Sequence, residues 1–468
     1  MSWLFLYTGV GWLIRLAMVP TVLRRQFTPG ASIAWLGIVC LHPYIGLALY
    51  LVLGERRLGP GRVVEHQKLM ERYALADGKE DLSGELAGST AVIARLVARM
   101  GRMPVVVGNG VEFISESVEM VDRLAGDIAG ATSEVHLLYY ILCADETGRK
   151  IAEQLKAAAG RGVKCRVLVD ALASRFIFRS GGLAGELKRA GVEVTAALPR
   201  SPLRRRDLRN HRKMGVIDRR VAYCGSQNLI NADYGGRRGG PWFDLTGRFT
   251  GPVVGEFATI FAMDWAFETG EILEVPKPGD ISAVADGVAM QVVPTGPVTL
   301  AESYRRVLLA AIDSAMKRLL ITTPYFVPDD VTMVALLGAA DRGVEIILNF
   351  PEHSDNLFTA AAARAHYSAL LGAGASIYLY QPGLIHSKIV TVDDAMGILG
   401  SANFDIRSFH LNFELSTLVY GAEVTERLAA VQKGYLEKSR KLDAKEWAGR
   451  AVVGQYGDAA VSLISPLL

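Results

Sequence analysis

The sequence predicts an α/β protein made of two similar α/β/α sandwich halves, preceded by apolar helices at its N-terminus. Three observations carry that prediction. From about residue 105 onward, short β-branched runs alternate with helical patterns; one pattern of residues occurs twice; and uninterrupted apolar runs occur only near the N-terminus. Continuous apolar strands between helices imply a largely parallel sheet covered on both faces. The chain has 468 residues, 50% hydrophobic and 21% charged, with a mean hydropathy of +0.23. Intrinsic disorder and a polytopic transporter are both excluded by this composition and by the confinement of the apolar runs. The net charge, 51 − 48 = +3, is too small for a bulk nucleic-acid binder, so no nucleic-acid partner is expected. Four cysteines, Cys40, Cys143, Cys165 and Cys224, lie far apart without a C-x-x-C pair. They read as buried thiols in a reducing compartment.

Residues 1–54 read as a membrane anchor. Ala31 to Leu53 is a run of 23 residues without Asp, Glu, Lys or Arg, enough for one span of roughly 30 Å. Pro43 is expected to kink that helix. Trp3 to Leu23 is apolar but interrupted by Arg15. It reads as a first membrane helix forming a hairpin with the second, the other reading being an interfacial helix. A cleaved signal peptide is not expected, since the first residues are uncharged and no A-x-A site follows. Arg24 and Arg25 would lie in the connecting loop, and Arg56, Arg57, Arg62, Lys68 and Arg72 beyond the second span. The positive-inside bias then places the large C-terminal part in the cytoplasm. Residues 55–104 read as a linker with short helices, 105–285 as the first half, and 286–468 as the second half with a C-terminal tail.

The duplication is visible directly. AAAGRGVKCRVLVD (157–170) matches GAADRGVEIILNF (338–350), and an apolar run ending near a tyrosine precedes each copy. Downstream, His211, Lys213 and Asp218 are followed by Gly225-Ser226-Gln227-Asn228. In the second copy, His386, Lys388 and Asp393 are followed by Gly400-Ser401-Ala402-Asn403. His to Lys is 2, Lys to Asp is 5 and His to Asn is 17 in both. A single H-x-K-x4-D arises by chance in roughly one to two random chains per hundred of this length. Two copies with the same tail at the same offset are not coincidence.

The spacing has a chemical meaning. His and Lys two apart on a strand point to one face, and a glycine turn brings the serine and asparagine back beside them. Ser226, Asn228, Ser401 and Asn403 are then candidate donors to phosphate oxygens. Two imidazoles brought together permit two-step displacement at phosphorus, one as nucleophile and one as acid and base. No metal or cofactor is expected, since lysine is no zinc ligand and no carboxylate lies at ligand spacing. A nucleophilic imidazole needs an acceptor on its other nitrogen. Asp244 and Glu414, 33 and 28 residues beyond the two histidines, are the candidates. Asp218 and Asp393 are candidates for the catalytic set, with a structural role at the strand ends as the alternative.

These motifs resemble the paired HKD signatures of the phospholipase D superfamily. Within it the chain is similar to bacterial cardiolipin synthases over nearly its whole length, through NHRKMGVID, TPYFVPDD, GSANFDIRSFHLNFE and the apolar N-terminus. The resemblance implies phospholipase D-like halves related by a pseudo-dyad with one shared active site. It implies condensation of two phosphatidylglycerols into cardiolipin, with release of glycerol through a phosphatidyl-histidine. It further implies a bacterial inner-membrane, multi-pass enzyme with phospholipid partners, and it favours His211 as nucleophile. Three positions depart from the family pattern: Leu138 before Tyr139 and Tyr140, Phe243 before Asp244, and a first G-S-x-N without a double glycine. The competing reading is a phospholipase D or membrane-tethered nuclease, in which water resolves the intermediate; a non-catalytic scaffold fits the complete motifs poorly.

Seven basic residues lie between 200 and 213, among them Arg204, Arg205, Arg206, Arg209 and Arg212, with Arg175-Phe176-Ile177-Phe178-Arg179 upstream. One reading is a solvated loop plus a core strand. The other is a rim contacting anionic headgroups, with Arg204, Arg205 and Arg206 as headgroup ligands and the aromatics dipping into the interface.

Overall fold

The computed structural model describes residues 3–24, 29–54, 58–76, 86, 88–199, 208–234, 240–276, 278–297 and 303–462. An N-terminal unit ends at Gly59 and a much larger one begins at Pro60. Each is taken by itself.

In the N-terminal unit, helix Trp3–Arg24 contains a stretch, Phe5–Arg24, long and apolar enough to cross a membrane. It is the only such helix among the described residues. The second apolar run is not one span. Helix Pro29–Leu41 stops at His42, whose φ of −132° is not helical, and the chain resumes as Pro43–Leu49 followed by a π-turn, Tyr50–Gly54. Proline lacks the N–H and its ring collides with the preceding turn, so the helix breaks rather than bends gently. The two pieces fold back on each other. A Cβ on Gly46 would lie 2.7 Å from Val39 Cα, and the Tyr50 ring meets Trp35 edge-on at 5.2 Å. Glycine permits that approach because it has no side chain to exclude. Arg15 donates from Nε to the Cys40 carbonyl at 2.9 Å, with Trp12 5.2 Å from the guanidinium.

The larger unit is built on one mixed sheet. Its first half supplies β1 Val106–Ile114, β2 Glu134–Tyr139, β3 Lys164–Asp170, β4 Glu193–Ala197, β5 Lys213–Ile217, β6 Val221–Gly225, β7 Trp242–Phe243 and β8 Thr246–Thr250. The second half supplies β9 Val288–Thr295, β10 Arg318–Thr322, β11 Phe326–Val327, β12 Glu345–Pro351, β13 Ser376–Tyr380, β14 Leu384–Ile385, β15 Ile389–Val392, β16 Met396–Gly400, β17 Phe404–Asp405, β18 Glu414–Tyr420 and β19 Ser439–Lys441. The 15-stranded sheet runs β19-β13-β12-β10-β15-β16-β18-β9-β1-β8-β6-β5-β2-β3-β4. Leaving aside β19, the order reads the same from either end about the antiparallel β1–β9 junction. This is the pseudo-dyad.

The expectation of a largely parallel sheet is corrected. Within the 15-stranded sheet parallel pairing is confined to β2–β3–β4 and β10–β12–β13, where helices such as Glu146–Gly160 supply the crossovers. The strands that begin at Lys213 and just after Lys388 instead form tight hairpins, β5–β6 and β15–β16, and pair antiparallel with β2 and β10. A short turn joins antiparallel neighbours only, and Asp218 and Asp393 sit in those turns.

Helix Val253–Thr269 is buried along nearly its whole length, as its all-round apolar sequence requires. It packs against strands of both halves, among them β5, β8 and β9. Helix Gly88–Gly101, within the segment read as a linker, buries Ile93, Ala94 and Val97 in a core shared with β9 and β10. The first half packs a separate core around Leu124, Ile151, Leu155 and Leu187.

Candidate active site

The motif histidines lie just before β5 and β15, and the backbone of the opposite half receives each. Leu384 and Ile385 (β14) pair in parallel with Trp242 and Phe243 (β7), and the His386 N–H donates to the Phe243 carbonyl at 2.7 Å. In the other half, Asn210 bridges to Phe413, and the His211 N–H donates to the Phe413 carbonyl at 2.8 Å. Each histidine is therefore held beside the residue that follows Phe243 or Phe413 of the opposite half.

Those next residues are Asp244 and Glu414, so the carboxylates are exchanged between halves. His211 Nδ1 lies 3.0 Å from both oxygens of Glu414, and His386 Nδ1 lies 2.6 Å from Asp244 Oδ1. With Nδ1–H donating to a carboxylate, each ring turns the lone pair of Nε2 elsewhere. Both rings line one cavity of about 690 Å³. Aromatic rings fix their planes: Tyr140 meets His211 edge-on at 4.7 Å, and Trp242 covers His386 at 4.2 Å.

Lys213 and Lys388 are buried and donate from Nζ to the carbonyls of His211 and His386, at 2.8 and 2.5 Å. Burial pushes Lys213 down to about 8 against the pull of Glu414 and Asp244, and pushes Lys388 well down. The imidazoles are also pushed down by burial, His211 to about 4 and His386 to about 3, with the carboxylates opposing and the lysines assisting. Burial alone would raise Asp244 and Glu414. The imidazoles, the lysines and the serine hydroxyls outweigh it and hold both carboxyls below their ordinary range.

Ser226 and Ser401, expected as phosphate ligands, are placed differently. Ser226 Oγ donates to Asp244 and Ser401 Oγ to Glu414, each at 2.6 Å, and neither serine lines the cavity. Their hydroxyls also accept the N–H of Leu245 and Leu415, at 3.0 and 2.9 Å. The preceding glycines make this possible, because a Cβ on Gly225 or Gly400 would lie 2.2 Å from the carbonyl oxygen of Leu245 or Leu415. Asn228 and Asn403 do line the cavity.

Asp218 and Asp393 are not part of the cavity. Each adopts positive φ, +50° and +49°, at the far end of a strand that begins beside its lysine, roughly 15 Å away by strand rise. Asp218 accepts from the backbone N–H groups of Thr132, Ser133 and Glu134, at 2.7, 2.8 and 3.0 Å, and from both hydroxyls. Asp393 accepts from the N–H groups of Met316, Lys317 and Arg318, at 2.9, 2.8 and 2.8 Å. They tie the hairpin turn to the start of β2 or β10, which corrects their place in the catalytic set.

Arg204, Arg205 and Arg206 lie outside the described residues. Of the neighbouring basic residues, Arg212 is fully buried and holds Asp264 of the long core helix at 2.5 Å, together with the carbonyls of Glu414 and Thr295. It is a strut between halves, not a solvated rim. Arg209 lines the cavity, 3.5 Å from Asp170. Tyr325, Asp355, Asn356, Asp405, Arg407 and Asn412 are also in the wall. Tyr140 and Tyr325 were signalled by the tyrosine preceding each repeat copy. Ser408 and Asn412, which donate to Glu414 at 3.0 and 3.2 Å, carry no spacing signal of their own.

Comparison with known proteins agrees with this geometry. A family described as "Cardiolipin synthase, PLD-like domain" matches residues 124–237 and 308–433. Cardiolipin synthase A of Klebsiella pneumoniae subsp. pneumoniae is 34% identical over 485 aligned residues, covering 99% of each chain. That of Erwinia tasmaniensis is 35% identical over 482, covering 100% of this chain and 99% of its own. The crystal structure of phosphatidylserine synthase from Haemophilus influenzae superposes with a TM-score of 0.63 at 14% identity, covering 82% of this chain and 100% of that one, and shows the same fold. With the histidines of both HKD motifs lining one cavity and 34–35% identity to the two synthases over the whole length, the chain belongs to the cardiolipin synthase family of phospholipase D-like enzymes.

Proposed function

We propose that the enzyme is a phosphatidyltransferase that condenses two phosphatidylglycerols into cardiolipin and releases glycerol. The observation that carries this reading is the pair of imidazoles lining one cavity, each with Nδ1 on a carboxylate of the opposite half. In the first step His386 is protonated on Nε2 once the anionic lipid phosphate is bound beside it; His211 Nε2 attacks the donor phosphorus, the P–O bond to the glycerol headgroup breaks, and His386 gives that alkoxide its Nε2 proton. In the second, His386 takes the proton of a second phosphatidylglycerol hydroxyl. Its oxygen attacks phosphorus, and the P–N bond breaks to regenerate His211. His211 is assigned the attack because its side chain is 12% exposed against 4% for His386. Lys213, Lys388, Asn228 and Asn403 surround the phosphoryl group with positive charge and amide dipoles. The two segments 105–285 and 286–468 act as halves of this one site.

Purified enzyme incubated in detergent with labelled phosphatidylglycerol is expected to yield cardiolipin and glycerol. Phosphatidic acid as the sole lipid product would instead establish the hydrolase reading. Acid quenching is expected to trap the phosphatidyl group on a peptide containing His211; its recovery on His386 would reverse the two roles.

The Phe5–Arg24 helix supports attachment to the bacterial cytoplasmic membrane, and Arg62, Lys68 and Arg72 support a cytoplasmic catalytic unit. The break at His42 and Pro43 removes support for two full spans. Protease treatment of sealed spheroplasts is expected to spare the catalytic unit; its digestion from outside would reverse the orientation.

A further inference from the structure

Two exposed apolar knobs stand beside the cavity, one in each half. The first is the 3-10 turn Arg175–Phe178, in which Phe176 and Phe178 are 48% and 36% exposed. The second is the start of helix Leu357–Gly372, where Leu357 and Phe358 are 60% and 56% exposed. Isolated surface hydrophobes need no explanation. These, however, occupy equivalent places in the duplication: Phe176 is 176 − 163 = 13 residues beyond Val163 of the first R-G-V, and Leu357 is 357 − 344 = 13 beyond Val344 of the second.

Each knob is tied to the cavity wall. Ser174, just before the first, donates to the Tyr140 carbonyl and accepts from the Leu142 N–H, both at 3.0 Å. Tyr140 and Ile141 line the cavity. The second knob is framed by Asp355, Asn356 and Thr359, all of which line it; Asp355 accepts from Tyr325 OH at 2.8 Å, and Asn356 caps the helix. Charge distinguishes the two. Arg175 and Arg179 stack on the Phe176 ring at 4.2 and 4.4 Å, which puts two cations around the first knob.

We propose that Phe176 and Phe178 together with Leu357 and Phe358 form a two-point bilayer-docking surface that seats the cavity mouth on an anionic membrane. A protein covering both knobs would cover the wall between them and stop lipid entry, whereas a bilayer covers them and supplies the substrate. The apolar side chains enter the acyl boundary, and Arg175 and Arg179 lie at headgroup level. The inference rests on the lipid-substrate reading above.

The test uses the full chain and two double variants, F176S/F178S and L357S/F358S, which change exposed side chains only. With long-chain phosphatidylglycerol in nanodiscs, each variant is expected to lose about tenfold in rate. With dihexanoyl phosphatidylglycerol below its critical micelle concentration, each stays within about twofold of the parent, because docking is bypassed. Unchanged rates in nanodiscs for both variants overturn the proposal, and so does an equal loss on both substrates. A separate readout needs no turnover: residues 171–182 and 352–360 are expected to gain protection from hydrogen exchange in phosphatidylglycerol nanodiscs relative to detergent. Protection without any lipid product would retain docking and reject the phosphatidyltransferase reading; absence of protection in an active enzyme would reject docking alone.

Discussion

Glu414 receives Ser401, Ser408 and Asn412 besides the imidazole of His211, whereas Asp244 receives Ser226 besides His386. Both anions are fully enclosed, so each histidine depends on a partner more than a hundred residues away. Glu414→Gln and Asp244→Asn are each expected to lower kcat by about 10²-fold or more, since an amide no longer selects the Nδ1–H tautomer. Nitrogen-15 NMR gives the residue-level check: Glu414→Gln should change the Nδ1–H signal of His211 and leave that of His386, and a change confined to His386 would refute the exchange. The same burial sets an acid limit on the fold. His66, His136, His211 and His386 are depressed to about 3, 4, 4 and 3 from an ordinary 6.5. The unfolded chain therefore binds protons first as pH drops. Stability is complete above about pH 6.5 and is lost as pH falls from there through 4 to 3. His66→Phe should flatten that fall, because neither ring nitrogen of His66 has a partner among the described residues; a Tm-against-pH curve parallel to the parent's would count against it.

At the scale of elements, the repeated motif was legible because period-2 spacing and equal offsets are properties of the chain itself. What each member does was only partly legible. His, Lys and Asn arrive at the cavity or beside it, but the serines turn inward because Gly225 and Gly400 let their strand ends lie against Leu245 and Leu415. The aspartates end up as turn anchors because a carboxylate at positive φ can collect the N–H groups at the start of a neighbouring strand. Asp218→Ala is expected to cost about 2–3 kcal/mol of stability with kcat/KM near the parent's once folded; denaturant titration and kinetics separate the two. Burial works to raise this carboxyl, and the backbone donors of residues 132–134 override it to hold it near 2. Its stabilisation is therefore present above pH 4 and lost as pH falls through 2. Apolar composition disclosed the N-terminal helices but not the fold-back at Pro43, which depends on Gly46 reaching Val39. Strand direction was misjudged because β-branched runs look alike in parallel and antiparallel ladders, and only the length of the connection distinguishes them.

For the whole molecule, two halves and one shared cavity were legible from the duplication, while the exchange of carboxylates was not. Spacing put Asp244 and Glu414 after the motifs but could not say which imidazole each would meet. That depends on β7 pairing with β14 and on Asn210 bridging to Phe413, contacts between segments with no mutual sequence signal. The arrangement predicts that His211→Ala and His386→Ala each abolish turnover, and that mixing the two purified variants restores none, because both rings and both acceptors belong to one chain. Substantial product from the mixture would mean that halves are exchanged between molecules.

The crossed pairing also bears on how such an enzyme is made. Translation delivers His211, Lys213 and Asn228 long before residue 414 leaves the ribosome, so the early portion of the polypeptide carries an imidazole with no anion to orient it. A nascent chain is thus chemically mute toward the lipids around it until synthesis is almost finished. A version ending before Glu414 should be inert however well its first half folds, which couples the onset of catalysis to completion of the polypeptide.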